Sequence, residues 1–195
     1  MKKKYLSTIS GATLYISFIL ILAKGVGFVR EIVFAGYYGT GTEYDVYLVA
    51  SAIPLTLNIV VFFVGQNYFI PALNKISDPD EAKKVQFSKQ VFVSYILLTF
   101  VLTLPMFFFS EWFLKLFFSL PQKESINAPK LIFQILLITI PLSAGISILT
   151  SYLQSKLEFK SPAISYLFIN ISIILLVILF SYSLGNLSIA LGYLI

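Results

Sequence analysis

The chain contains neither cysteine nor histidine. Without cysteine there is no disulfide framework, no thiol nucleophile and no thiolate zinc site. Without histidine there is no imidazole general base and no Ser-His-Asp arrangement, so few routes to catalysis remain. Charge is scarce too. Only 12% of the 195 residues are Asp, Glu, Lys or Arg, which excludes a disordered tail and is low for a soluble domain of this size. The formal net charge of +5 is scattered as single basic residues between apolar runs. It forms no stripe, so no nucleic-acid partner is indicated.

What fills the chain is hydrocarbon. Hydrophobic residues make up 58% of it, and they recur in runs long enough to cross a bilayer core of about 30 Å. The reading is an all-α, polytopic transmembrane bundle. Five complete spans are expected at about 11–34, 44–69, 91–109, 129–152 and 162–182, with the start of a sixth at about 187–195. That last run is too short to cross, so the chain is expected to be the first part of something longer. The start, MKKKYLSTISGATLYISFILILAKG, imitates a signal peptide but lacks a small-residue cleavage site, and reads as an uncleaved first helix. Lys2, Lys3 and Lys4 hold the N-terminus in the cytoplasm. The lysine-bearing segments 72–90 and 153–160 then fall in the cytosol, in accord with the positive-inside rule.

Local signals refine the spans. Pro54 should kink the second and Pro71 end it. Thr42 suits an N-cap for that span, with Asp45 completing a capping box. Asp78, Pro79, Asp80 and Glu81 read as the start of the third helix, its charges a solvated face, and Ser161 and Pro162 as the cap of the fifth. Trp112 fits an interfacial anchor beside an amphipathic FLKLFF segment. The small residues Ser143, Gly145, Ser147, Thr150 and Ser151 let helices approach closely. Asn170, alone in an apolar span, should bond to a neighbouring helix.

The candidate site lies in LILAKGVGFVREIVFAGYYGTGTEYD, residues 20–45. Lys24, Arg30 and Glu31 sit where hydrocarbon should be. A charge there costs at least ~2.5 kcal/mol and by default faces a bundle interior or a watery cavity. At helical spacing, Ser10, Thr13, Ser17, Lys24, Gly27 and Glu31 fall on one side of the first span, with Arg30 at its margin. Asp45 either caps the second span or also pairs with a first-span cation. Asn58 is a polar residue inside the second span.

Three stretches carry a resemblance: KGVGFVREIVFAGYYGTGTEYDVYLVASAIP, NYFIPAL, and LLITIPLSAGISILTSYLQSKLEFKSPAISYLFINIS. Together they resemble the MurJ (MviN) family of lipid II flippases, within the wider group that includes polysaccharide-repeat flippases and MATE exporters. The resemblance implies two lobes around a central cavity, this chain being most of the first lobe. It implies a transporter rather than an enzyme, moving an undecaprenyl-pyrophosphate-linked oligosaccharide between leaflets of the bacterial cytoplasmic membrane by alternating access. No cofactor is implied, though the membrane potential or a monovalent ion could drive the step; the partners are the lipid-linked substrate, membrane lipids and the other lobe. The family's pyrophosphate-binding cavity charges carry over to Lys24, Arg30 and Asp45, with Glu31, Gly27 and Asn58 in support and no metal site. Lys24 stands where better-known members have Arg, and Asn58 where they carry a further Arg. O-antigen or capsule repeats, a MATE-like exporter and an inactive fragment are the competing readings.

Overall fold

The computed structural model describes residues 2–39, 41–76, 81–117 and 126–194, with side chains from Ser17 onward except at 42 and 43. The expected N-terminal anchors Lys2, Lys3 and Lys4, the stripe residues Ser10 and Thr13, the Thr42 side chain and the Asp78–Asp80 helix start lie outside that description. Among the described residues every element is a helix: α1 Lys2–Tyr38, α2 Thr42–Asn74, α3 Glu81–Phe108, α4 Ser110–Phe117, α5 Asn127–Ser155, α6 Lys160–Leu184 and α7 Leu187–Leu194. Four described segments are long and apolar enough to cross a membrane: Tyr44–Asn74, Glu81–Phe108, Asn127–Ser155 and Lys160–Leu184. They match the second to fifth expected spans. The expected first span lies within α1, whose first fifteen residues have no described side chains.

The prolines punctuate less than their chemistry suggests. α2 runs through Pro54 and on through Pro71 to Asn74; Pro71 does not end it, because the ring removes one N–H bond without preventing the next turn from forming. α3 runs from Glu81, nearly three turns before the apolar run at Val91, so the solvated segment is already helical.

The expected caps fare differently. The residue flanking α2 is Gly41, and Asp45 N–H bonds to its carbonyl at 3.4 Å; the Thr42 side chain on which the expected capping box depends lies outside the described residues. At α6 the cap is Glu158, whose Oε1 accepts from Lys160 N at 3.1 Å and Ser161 N at 3.3 Å. A carboxylate supplies both the acceptor and the charge that a helix N-terminus favours, so Ser161 and Pro162 lie inside the helix. The preceding turn closes as a Schellman motif, Leu157 N to Gln154 O and Glu158 N to Leu153 O, both 2.9 Å. Leu157 occupies the position that glycine usually takes, at φ 61°.

α5 is the hub. Of its apolar window 61% is buried, against 22% for α2, 11% for α3 and 17% for α6. Ile132, Phe133, Leu136, Leu137 and Ile140 are within 2% of full burial, packed by α2, α3 and α7. Small residues permit this. A methyl on Gly65 of α2 would lie 2.0 Å from Ser147 Oγ and 2.8 Å from its Cβ; one on Gly145 would lie 3.0 Å from Ile96. α6 packs on α1 and α7, with Gly192 of α7 so close that a methyl there would lie 2.8 Å from the Ile173 Cα. The chain thus forms two leaves, α2–α3–α5 and α1–α6–α7, joined where α7 meets α5.

Tracing the chain puts Tyr38, Thr42, Ser110, Asn127 and Gly185 at one end, here called upper, and Asn74, Glu81, Ser155 and Lys160 at the other. Upper-end ties are local. Tyr38 donates its hydroxyl to the Gly185 carbonyl at 3.0 Å and lies 2.7 Å from Ser188 Oγ. Lys130 pairs with Glu111 at 2.8 Å, fastening α4 to α5. α4 buries Ser110 and Leu114 and exposes Trp112, Leu116 and Phe117, as an interfacial segment should. At the lower end Lys156 pairs with Glu81.

Candidate functional site

Arg30 stands about three-quarters of the way along α1, on the side that packs against α6. Its side chain is 20% exposed, and every polar edge of the guanidinium is used. Nε and one terminal nitrogen both donate to Glu31 Oε1, at 3.1 and 2.6 Å, and the other terminal nitrogen donates to Asn170 Oδ1 at 3.1 Å. Two aromatic rings complete the setting, with the guanidinium carbon 5.6 Å from the ring centroids of Phe34 and of Tyr193. Each such contact contributes about 0.5–2 kcal/mol depending on desolvation.

Asn170 is oriented by a second bond, its Nδ2 donating to the Tyr166 carbonyl at 2.9 Å. With the amide nitrogen directed there, the oxygen faces Arg30. Gly27 lies beside it, where a methyl would make only ordinary contact, 3.7 Å from Asn170 Oδ1. The lone polar residue of the fifth span therefore does bond to a neighbouring helix, and its partner is the arginine.

Above Arg30 the rings close ranks. Phe34 meets Tyr44 and Tyr47 edge-on at 6.4 and 6.3 Å, while Tyr44 stacks on Tyr38 and on Tyr47 at 6.5 and 5.9 Å. These contacts join the upper ends of α1 and α2.

The remaining candidates are placed differently. Lys24 and Asp45 are exposed, and neither side chain makes an ion pair or hydrogen bond among the described residues. Asp45 is not the partner of a first-span cation; Glu31, adjacent to Arg30 in sequence, already occupies the guanidinium fork. Glu31 is half-exposed. Asn58 lies lower on α2, away from the arginine cluster, and donates from Nδ2 to Thr139 Oγ1 at 2.6 Å. Of the residues singled out in the sequence, the structure brings Arg30, Glu31 and Asn170 together and leaves Lys24, Asp45 and Asn58 apart; Phe34 and Tyr193, the rings beside the arginine, gave no sequence signal. No group of three or more metal-ligating side chains occurs among the described residues.

The geometry supplies one fixed guanidinium in an otherwise apolar bundle, facing a carboxylate that an anion could replace. A model of the family described as "Lipid II flippase MurJ" matches residues 34–195. The chain belongs to the MurJ lipid II flippase family. A "Probable lipid II flippase MurJ" of Buchnera aphidicola is 32% identical over 177 residues, 85% of this chain and 33% of that protein. The chain therefore spans a third of the length of that MurJ relative. No solved structure matches it. The MurJ family match covers Asp45 and Asn58 and starts just past Lys24, Arg30 and Glu31.

Proposed function

We propose that this chain forms the first lobe of a flippase that carries an undecaprenyl-pyrophosphate-linked oligosaccharide across the bacterial cytoplasmic membrane for cell-wall synthesis. Family membership supports the task, and the observation that carries the site is the guanidinium of Arg30, held from three sides within an apolar bundle. In this reading the diphosphate displaces Glu31 from the fork and takes a bidentate contact, the geometry for which arginine is suited. Glu31 neutralises the cation while no substrate is bound, since an uncompensated charge in a low-dielectric setting is costly. Lys24, one to two turns below on the same helix, offers a mobile point charge on the way to Arg30. Asp45 has a weaker claim, as an exposed carboxylate near the upper turn.

The lysine-bearing lower end, with Lys75, Lys83, Lys84, Lys89, Lys156 and Lys160, is the cytoplasmic side by the positive-inside rule. Substrate enters from there, and alternating access between this lobe and a second one releases it above. No cofactor takes part; the driving force is the membrane potential or a monovalent ion.

The test is Arg30→Gln in the full-length protein. It should insert normally yet fail to replace a depleted flippase, with the glycan-bearing precursor accumulating on the cytoplasmic leaflet. Undiminished flipping by Arg30→Gln sinks the assignment. Normal cell-wall synthesis with loss of a surface glycan would redirect the substrate to a polysaccharide repeat on the same carrier.

A further inference from the structure

A cavity of about 490 Å³ opens between α2 and α6, with α5 as its floor. Its size lies within the range of about 300–1,000 Å³ common for small-molecule sites. None of its lining residues is charged. Asn58 contributes an amide whose orientation is fixed by the bond from Nδ2 to Thr139 Oγ1. Its Oδ1 is buried and accepts no hydrogen bond. A buried acceptor without a donor is costly to leave unmet and rare in native interiors. Gln66 and Thr150 also line the cavity, and no hydrogen bond among the described residues engages their side chains. On one wall Phe62 meets Tyr166 edge-on, with ring centroids 6.2 Å apart.

This lining suits a particular chemistry. A phosphate would require a cation, and none is present. An acyl chain would leave Gln66 and Thr150 unmet. A neutral, polyhydroxylated group satisfies both conditions, because its O–H and N–H groups exchange bonds with Gln66 and Thr150 while its apolar face lies on the rings. The cavity also adjoins the cation. Tyr166 accepts from Asn170 Nδ2 at 2.9 Å, and Asn170 Oδ1 accepts from Arg30 at 3.1 Å. One turn of α6, about 6 Å, separates Tyr166 from Asn170.

We propose that the α2–α5–α6 cavity is the carbohydrate subsite, seating the neutral sugar of a diphosphate-linked lipid while Arg30 holds the diphosphate. The assignment rests on the flippase reading above and adds where selectivity for the glycan resides.

Two probes separate the claims, measured on the full-length protein in lipid nanodiscs: undecaprenyl pyrophosphate, and the same lipid carrying an N-acetylated disaccharide. Thr150→Val and Gln66→Leu each remove polar groups with little change of volume, and Ser143→Phe fills the cavity from α5. Each should raise the Kd for the glycosylated probe about ten-fold, the scale of one lost hydrogen bond, and leave the Kd for the bare diphosphate lipid unchanged. Equal weakening of both probes, or no change in either, overturns the subsite. Wild-type protein that binds neither probe, or Arg30→Gln protein that keeps both, overturns the flippase reading itself and the subsite with it.

Discussion

At the scale of single residues, the arginine is informative because its environment is over-determined. Asn170 presents its oxygen to Arg30, with its amide nitrogen donating to the Tyr166 carbonyl. Replacing Asn170 by Ala removes a hydrogen bond to a charged group, worth about 1.5–3 kcal/mol, and frees the guanidinium to rotate. Transport by Asn170→Ala is expected to fall ten-fold or more, whereas in an Arg30→Lys background, which lacks the fork, the same change should cost little. A double-mutant cycle on initial flipping rates measures the difference. The charged members of this site were legible in the sequence because an ionisable residue in a hydrocarbon run is conspicuous. Asn170 was visible for the same reason. Tyr193 and Phe34 were not, since an aromatic residue in a membrane helix is ordinary until the fold sets it beside a cation. The imagined pairing of Asp45 failed on a local fact: the nearer carboxylate, Glu31, reaches the fork first.

At the scale of elements, close approach of α2 to α5 depends on one glycine. A methyl on Gly65 would overlap Ser147 Oγ and Cβ, at 2.0 and 2.8 Å, and the serine cannot withdraw while its hydroxyl bonds to the Ala144 carbonyl. Gly65→Ala should therefore lower the apparent unfolding temperature in detergent, by an overpacking cost of about 1–3 kcal/mol. Ser147→Gly in the same chain should restore most of it. Outside the spans, the Lys130 ammonium bonded to Glu111 holds the Glu111 carboxyl below its usual value. A carboxyl with a lowered folded value contributes stability above the unfolded value of about 4.3 and loses it as pH falls through the folded value. The tie between α4 and α5 should accordingly loosen on acidification below about pH 4.3, and Glu111→Gln should flatten that part of the stability profile in thermal melts. The expected second, fourth and fifth spans lie within a few residues of α2, α5 and α6, whereas α1 and α3 begin nine and ten residues before the expected first and third spans, because hydropathy marks the apolar part of a helix and not its polar extension. Glu158 prevailed over Ser161 because a charged acceptor sits better at a helix N-terminus. Pro71 failed to stop α2 because a proline removes only one bond of the ladder.

At the scale of the whole molecule, the all-helical class and the second to fifth spans followed from hydropathy, whereas the arrangement did not. The apolar windows of α2, α3 and α5 share a mean hydropathy of 2.2, and that of α6 is 2.6. Nothing in those values says that α5 is the hub. The usable signal was the density of small residues in α5, which hydropathy averages away. Sidedness can be checked directly, because the natural chain has no cysteine and single thiols can be introduced without background. Ser88→Cys should react with a membrane-impermeant maleimide only from the cytoplasmic face, and Lys115→Cys only from the opposite face. The reverse pattern would invert the orientation assigned from the lysines. The four rings at the top of the bundle then acquire a meaning. Phe34, Tyr38, Tyr44 and Tyr47 clasp the upper ends of α1 and α2, above Arg30. In the flippase proposed above, a headgroup leaving the guanidinium upward meets that clasp first, so trimming the rings should make the protein leakier before it makes it slower.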